Sequence, residues 1–290
     1  MKFALCSDLH LEFAPIELNN TEDADVLVLS GDICIAKDLG YTDNDRSIQF
    51  MKFFEHCSEQ FKNVIYIMGN HEHYHGDFTK SYDQLVTALA HLPNIHVLEK
   101  QHVTIGDVTF IGGTLWTNMN KEDPFTMYKI AHMMNDFRII ANGKKIVQFR
   151  DSDGNTHERI GKLTPEDVVI EHKQMLEYIH SVVDGKLDQK FVVVGHHAPS
   201  KMSTKPRYQG DEIMNGGYSS DLSEFILDHP QIKIFTHGHT HDKFCYKIGS
   251  THILANPHGY AGHEDIADRF QLLYVEIDNG KIILGNGWVD

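Results

Sequence analysis

Five short motifs hold the residues able to do chemistry: Ser7-Asp8-Leu9-His10, Gly31-Asp32, Gly69-Asn70-His71-Glu72, Gly195-His196-His197 and Gly238-His239-Thr240-His241. They offer oxygen from Asp8, Asp32 and Asn70, and imidazole nitrogen from His10, His196, His239 and His241. A mixed N/O set suits Mn, Fe, Zn or Co better than Ca or Mg. These seven donors exceed what one transition metal takes. They fit two ions about 3.5–4 Å apart that share a carboxylate. A glycine ahead of a donor lets the backbone turn and come close to an ion. In extended chain, residues i and i+2 point the same way. Asp8 with His10, and His239 with His241, are therefore expected to aim at one point. Histidine is abundant, 21 of 290 residues, and it is the commonest metal ligand, but position has to decide each one.

Every motif follows a short β-branched or apolar run. Lys2–Cys6, Val26–Ser30, Val64–Met68, Phe191–Val194 and Ile232–Thr236 read as buried strands. Asp45–Gln60, Lys80–His91, Phe125–Phe137 and Ser220–Leu227 read as helices. Thr164-Pro165-Glu166-Asp167 is a helix start, with a Thr cap, Pro at the first position and acids in the first turn, and that helix runs to Val183. Ile95–Leu98, Val103–Ile105 and Val108–Ile111 are further strands, the last two joined at Gly106-Asp107. Phe244–Ile248 with Thr251–Ala255, and Phe270–Ile277 with Lys281–Leu284, read as hairpins turning at Gly249-Ser250 and Asp278-Asn279-Gly280. The polar stretch 141–163 reads as loop, or as a hairpin turning at Asp153-Gly154-Asn155. Strand–helix units followed by antiparallel hairpins argue for a mixed α/β sandwich. Such sheets place their sites at the carboxyl ends of strands.

The length of 290 residues suits one large domain, and we take residues 1–290 as a single one. Hydrophobic residues at 41% and charged residues at 23% exclude a disordered chain or a coiled coil. The apolar runs fall well short of the roughly 20 residues a membrane helix needs. Met1–Ser7 has no export signal. The net charge of −15, from 26 basic and 41 acidic residues, argues against a broad basic face for nucleic acid. Four cysteines without a CxxC pair, and no export signal, point to reduced thiols in a cytoplasm.

The order D-x-H, GD, GNHE, GHH, GHTH resembles the calcineurin-like metallophosphoesterase superfamily across nearly the whole chain. Gly113-Thr114-Leu115-Trp116-Thr117, Met134-Asn135-Asp136-Phe137-Arg138, Leu163-Thr164-Pro165 and Asn256-Pro257-His258-Gly259-Tyr260 are similar to a bacterial and phage subgroup of it. The resemblance implies a four-layer α/β/β/α sandwich, two mixed sheets flanked by helices, with a dinuclear centre at the strand ends. Asp8, His10 and His241 would hold one metal and Asn70, His196 and His239 the other, with Asp32 bridging. The metals expected are Mn, Fe or Zn, with Co or Ni able to substitute in vitro. His71 matches the position that meets the phosphoryl oxygen or the leaving group, and Glu72 would orient His71. Two ions lower the pKa of a shared water, the hydroxide attacks phosphorus in line, and a protonated His71 assists the leaving oxygen. The protein phosphatase branch carries GDxVDRG at the second motif. Here Gly31-Asp32-Ile33-Cys34-Ile35-Ala36-Lys37 lacks that Arg. The reading favours hydrolysis of a small or nucleotide phosphodiester. A phosphomonoesterase or protein phosphatase, a nuclease, and a non-catalytic scaffold of the same fold are the alternatives.

Several residues admit two readings. His197 either supports the site, meets substrate or packs beneath it. Residues 117–163 form a structural insertion or a substrate flap, in which Arg138 clamps a phosphate or pairs with Asp136. The loop Ala198–Tyr218, with Lys201, Lys205, Arg207 and Tyr208, is a second candidate wall, and Arg207 a candidate substrate contact. His73 and His75 either line the cleft or join His91, His96 and His102 as ordinary histidines. His237 fits a strand end, and Cys34 a small buried thiol or a group facing the metals.

Overall fold

The computed structural model describes residues 1–40, 44–278 and 280–285. Its strands are β1 (Lys2–Cys6), β2 (Val26–Ser30), β3 (Asn63–Ile67), β4 (Ile95–Leu98), β5 (Gln101–Ile105), β6 (Val108–Gly112), β7 (Ala141–Arg150), β8 (Thr156–Lys162), β9 (Lys190–Val194), β10 (Ile232–His237), β11 (Phe244–Ile248), β12 (Thr251–Ala255), β13 (Leu273–Asp278) and β14 (Lys281–Leu284). Two six-stranded mixed sheets result, in the orders β14-β13-β1-β2-β3-β4 and β11-β12-β10-β9-β6-β5. The strands that carry donors, β1, β2 and β3 in one sheet and β9 and β10 in the other, run parallel to their donor-bearing neighbours. Parallel neighbours end on the same rim, so their following loops meet there.

The side-chain period of two sorts each strand between two cores. In β1, Phe3 and Leu5 enter the core between the sheets, with Val26, Val28, Ile65, Phe110, Val192 and Ile234. Ala4 and Cys6 face the outer layer instead, under Phe50, Phe53 and Phe54 of α1 (Asp45–Gln60) and Leu85 of α2 (Ser81–Leu89). Burial on both faces is why these strands read as unbroken apolar runs. The sheets touch closely: Phe3 and Phe110 meet edge to face at 6.0 Å.

Residues 117–163 build a small cap whose Met119, Ile130, Met134, Phe137, Ile140 and Leu163 share a core with Trp116, Val168 and Val169. It comprises α3 (Met119–Glu122), a left-handed turn with φ of 49–62°, then α4 (Pro124–Met133), α5 (Asp136–Ile139) and the β7–β8 hairpin. The single helix expected over Phe125–Phe137 is broken, because Met134 is extended (ψ 139°) and redirects the chain so that Asp136 turns inward. The polar stretch after 141 is a hairpin, as one of the two readings had it. The second outer layer is α6 (Pro165–Val183), opened by a Thr164 capping box, with α8 (Ser223–Asp228), while α7 (Glu212–Tyr218) packs against α4. The helix expected from Ser220 starts at Ser223, because the Asp221 carboxylate accepts from Ser223 N (3.2 Å) and holds a turn there. The turn read at Asp278-Asn279-Gly280 includes Asn279, which lies outside the described residues.

Gly112 ends β6 packed against the opposite sheet. A Cβ there would lie 2.6 Å from both Ile67 Cγ2 and Leu98 Cβ of the opposite sheet. Gly112→Ala should cost about 1–3 kcal/mol through overpacking, read as a lower urea midpoint with an unchanged slope.

Candidate metal centre

The donors sit on the loops after β1, β2, β3, β9 and β10. Their convergence does not come from extended chain. Asp8 (φ 53°), His10 (47°), Asp32 (55°), His239 (65°) and His241 (47°) are all left-handed. Each such non-glycine residue stores about 1–3 kcal/mol and persists only where its surroundings force it. Here the loops brace one another. Asp8 N donates to Gly31 O (2.9 Å), His10 N to Asp32 O (3.0 Å), Gly259 N to Asp8 O (3.0 Å) and Gly238 N to His196 O (2.9 Å). Two glycines give room for close approach: a Cβ on Gly69 would strike Asp32 Oδ1, and one on Gly238 would strike Asp8 Oδ2.

Asp8, His10 and His241 bring one ligand atom each within 4.8 Å of one another, and so do Asp32, His196 and His239. Asp32 Oδ2 lies between the two groups, 3.2 Å from His196 Nε2 and 3.9 Å from His10 Nε2. Asn70 Oδ1 joins the second group, 3.2 Å from His196 Nε2.

The hydrogen bonds around these side chains show what the centre wants. His10 Nδ1 faces Glu12 Oε1 (3.3 Å) and His241 Nδ1 faces Glu264 Oε2 (2.5 Å). A carboxylate accepts, so both Nδ1 atoms carry the hydrogen. With both rings neutral, that leaves the two Nε2 lone pairs pointing at each other across 3.1 Å. His196 Nδ1 donates to Ser30 O (2.8 Å), so its Nε2 lone pair faces the oxygens of Asn70 and Asp32. His239 Nε2 is buried with no hydrogen-bond partner. Acceptors thus face acceptors in buried space, and cations reconcile them. Burial pushes His196 and His241 down, yet the acids facing them outweigh it. Asp32 lifts His196 to about 9, and Asp8 and Glu264 lift His241 to about 10. Asp8 and Asp32, despite burial, are held well below the carboxylate range by His241 and His196. The residues fit two metal ions.

Three carboxylates that the sequence reading missed fix these donors. Glu12 Oε1 accepts from both His10 and His71, the latter at 3.0 Å. Asp136 Oδ1 accepts from Asn70 Nδ2 (2.9 Å) and from Tyr74 OH (2.8 Å), which turns Asn70 Oδ1 toward the centre. Glu264 holds His241 and is itself held by Tyr260 N (2.9 Å). The available signal was position: Glu12 follows His10 by two residues, Asp136 lies in the Met134–Arg138 stretch, and Glu264 follows Asn256–Tyr260.

Glu72 does not orient His71. Its carboxylate accepts from Asp32 N (3.0 Å), Ile33 N (2.8 Å), Gly69 N (2.6 Å) and Tyr66 OH (2.9 Å), clamping the loops that carry Asp32 and Asn70. Burial and the nearby Asp32 push it up to about 7. His71 is oriented by Glu12 and stacks on Tyr74 (4.0 Å), with its Nε2 3.4 Å from Tyr260 OH. Burial lowers His71, but Asp32 and Glu12 reverse this and leave it above the usual imidazole value.

A cleft of about 470 Å³ opens over the centre, lined by Asn70, His71, His239 and His241 on its floor and by residues of 133–136 and 203–218 on its walls. Arg207 lines it; Arg138 is exposed, does not line it, and has no ion pair with Asp136 among the described residues. His197 is buried beneath, between Trp116 (4.9 Å) and His239 (4.2 Å), so it supports the His239 ring rather than meeting substrate. His73 is buried against Phe78 and Trp116, His75 is exposed, and neither lines the cleft. His237 bonds Ser203 Oγ (2.8 Å) and Gly238 O (3.0 Å) at its strand end. Cys34 is a buried thiol beside Tyr66 OH (3.8 Å).

The family model for calcineurin-like phosphoesterases matches residues 1–243, and the chain belongs to that family. It is 28% identical over 293 residues to "Uncharacterized protein L509" of Acanthamoeba polyphaga mimivirus, covering 94% of this chain and 95% of the relative. The fold is similar to that of phosphopantetheinyl hydrolase from Mycobacterium tuberculosis, with a TM-score of 0.62, 14% identity and 89% of each chain covered. The two mixed sheets with flanking helices are this family's fold, and the protein is a hydrolase acting on phosphoester bonds. The family uses divalent metal ions, and the two side-chain groups above are compatible with a dinuclear site. No helix among the described residues is long and apolar enough to cross a membrane.

Asp136→Ala should free the Asn70 carboxamide to rotate and weaken metal binding by about 10–100-fold. Manganese titration followed by metal analysis reads this, and Arg138→Ala, two residues on, should leave the metal content at the wild-type value.

Proposed function

We propose that the protein hydrolyses small phosphodiesters, nucleotide-type diesters among them, with two ions drawn from Mn, Fe and Zn. In this reading Asp8, His10 and His241 would hold one ion and Asn70, His196 and His239 the other, with Asp32 serving both. The ions supply an activated water nucleophile and offset charge on the phosphoryl oxygens. The chain supplies the rest. Glu12, Asp136, Glu264 and Ser30 O fix the rings and the carboxamide, so no reorganisation is needed at the moment of reaction. His71 lines the cleft floor, its Nε2 3.4 Å from Tyr260 OH. With its Nδ1 hydrogen on Glu12, a protonated His71 can pass the Nε2 proton to the departing oxygen.

The diester preference rests on one observation. The turn after Asp32 runs into fully buried Ile33 and Cys34, so that turn sends no cation to the phosphoryl position. A diester carries one negative charge where a monoester carries up to two, and so needs less compensation there. Against the alternatives, the complete donor set argues against an inactive scaffold, and the net charge of −15 against a nuclease that grips a long backbone. A cytoplasmic location remains part of the proposal.

Manganese-loaded protein should hydrolyse bis(p-nitrophenyl) phosphate faster than p-nitrophenyl phosphate; the reverse order would assign a monoesterase. His71→Ala should lower kcat about 10²–10⁴-fold with two metals still bound. An unchanged kcat in the metal-replete variant would remove His71 from the reaction.

A further inference from the structure

The cleft is larger than one phosphoryl group requires. Its volume of about 470 Å³ falls in the range of sites for whole small-molecule ligands, about 300–1,000 Å³. The chain carries a net charge of −15, yet the cleft wall has two basic residues within three positions, Lys205 and Arg207, and they are the only Lys or Arg among its described lining residues. They lie at the 3₁₀ turn Pro206–Tyr208.

Three features make this turn a built surface. It is anchored: Lys201 Nζ donates to Asn120 Oδ1 (2.9 Å), Asn215 O (2.9 Å) and Ser219 O (2.8 Å), and Ser203 Oγ bonds His237 Nε2 (2.8 Å) and Tyr246 OH (2.7 Å). The Arg207 guanidinium lies over the Tyr208 ring at 4.6 Å, which fixes the group while leaving its N–H edges free. Finally, among the described residues neither the Lys205 nor the Arg207 side chain has an ion pair or hydrogen bond. Of the nearby wall carboxylates, Glu264 lies within electrostatic reach of Lys205, but both Glu264 and Asp211 make their hydrogen bonds elsewhere. Asp211 accepts from Met214 N (3.2 Å), and Glu264 accepts from His241 and Tyr260 N.

Neither cation has a hydrogen-bonded counter-ion among the described residues, and an anion held between them would supply one. The scissile group would meet the metal centre and His71 on the floor, not this wall. We propose that Lys205 and Arg207 form a second anion subsite, which takes a phosphate on the part of the substrate remote from the scissile bond. The preferred substrate class is thus a phosphodiester that bears a further phosphate, such as a nucleoside 3′,5′-bisphosphate ester. A guanidinium fork matches that group bidentately. The inference rests on the diesterase reading above.

The test compares two substrates with the same scissile bond and leaving group: thymidine 5′-(p-nitrophenyl phosphate) and its 3′-phosphorylated twin. With full-length, manganese-loaded protein, kcat/KM should favour the twin by at least about tenfold, the scale of one hydrogen bond to a charged group. The gain should fall mainly on KM, because the contact is remote from the chemistry. In Lys205→Met/Arg207→Gln the ratio should fall towards one, and in Arg207→Glu below one. A wild-type ratio of one, or a ratio the double variant preserves, overturns the subsite. A wild-type ratio of one with equal losses on both substrates in the variants would assign the two residues to the scissile phosphoryl group instead. Calorimetry with thymidine 5′-phosphate and thymidine 3′,5′-bisphosphate reads the same preference without turnover. Tighter bisphosphate binding by a protein that hydrolyses neither ester upholds the subsite and overturns the diesterase reading; equal binding overturns the subsite.

Discussion

At the centre of this protein, lone pairs confront lone pairs. His10 and His241 point their Nε2 atoms at one another across 3.1 Å, and His196 Nε2 faces two oxygens at 3.2 Å. With the rings neutral that arrangement is unfavourable, and positive charge relieves it. Without ions, protons must serve, which is why the rings nearest Asp8 and Asp32 are drawn so far up. Five donors also sit in left-handed backbone. The chain therefore holds its donors in a geometry that is costly alone and becomes favourable once cations occupy it. This is the general logic of preorganised sites.

The sandwich makes such a geometry sustainable. Strands buried on both faces end at one rim, and their loops hydrogen-bond to each other rather than to their own strands. Glu72 adds a cross-brace by gathering three backbone N–H groups from two loops under one carboxylate. Displacing any one loop would leave buried donors without partners, at about 1–3 kcal/mol each. The cap of residues 117–163 then delivers Asp136 from outside the sheets, so the small core of Trp116 and Phe137 bears on the orientation of Asn70.

Charge is distributed by depth. Imidazoles with Asp8 and Asp32 crowd the floor, tyrosines 74, 218 and 260 ring it, and the wall carries Lys205 and Arg207 alongside Asp136, Asp211 and Glu264. His71 lies between these layers, tied below to Glu12 and open above to the cleft. That placement suits a group that moves a proton to a departing oxygen while the phosphoryl group stays with the floor.

The donors themselves were legible because ligand chemistry resides in residue type, and Asp8, His10, Asp32, Asn70, His196, His239 and His241 each follow a recognisable strand. The strands and most helices were legible because burial imposes a period along the chain. Partnership was not. Whether Glu72 clamps backbone or steers His71, whether Asp136 meets Asn70 across 66 positions or Arg138 across two, and whether His197 faces substrate or packs on Trp116 depend on contacts between loops of different sheets. The sequence by itself determined which atoms could bind cations and roughly where the chain would run straight. Only the tertiary structure decided how they converge, through left-handed turns rather than extended alternation, because backbone strain is settled by the neighbours that brace it and leaves no periodic trace in one dimension.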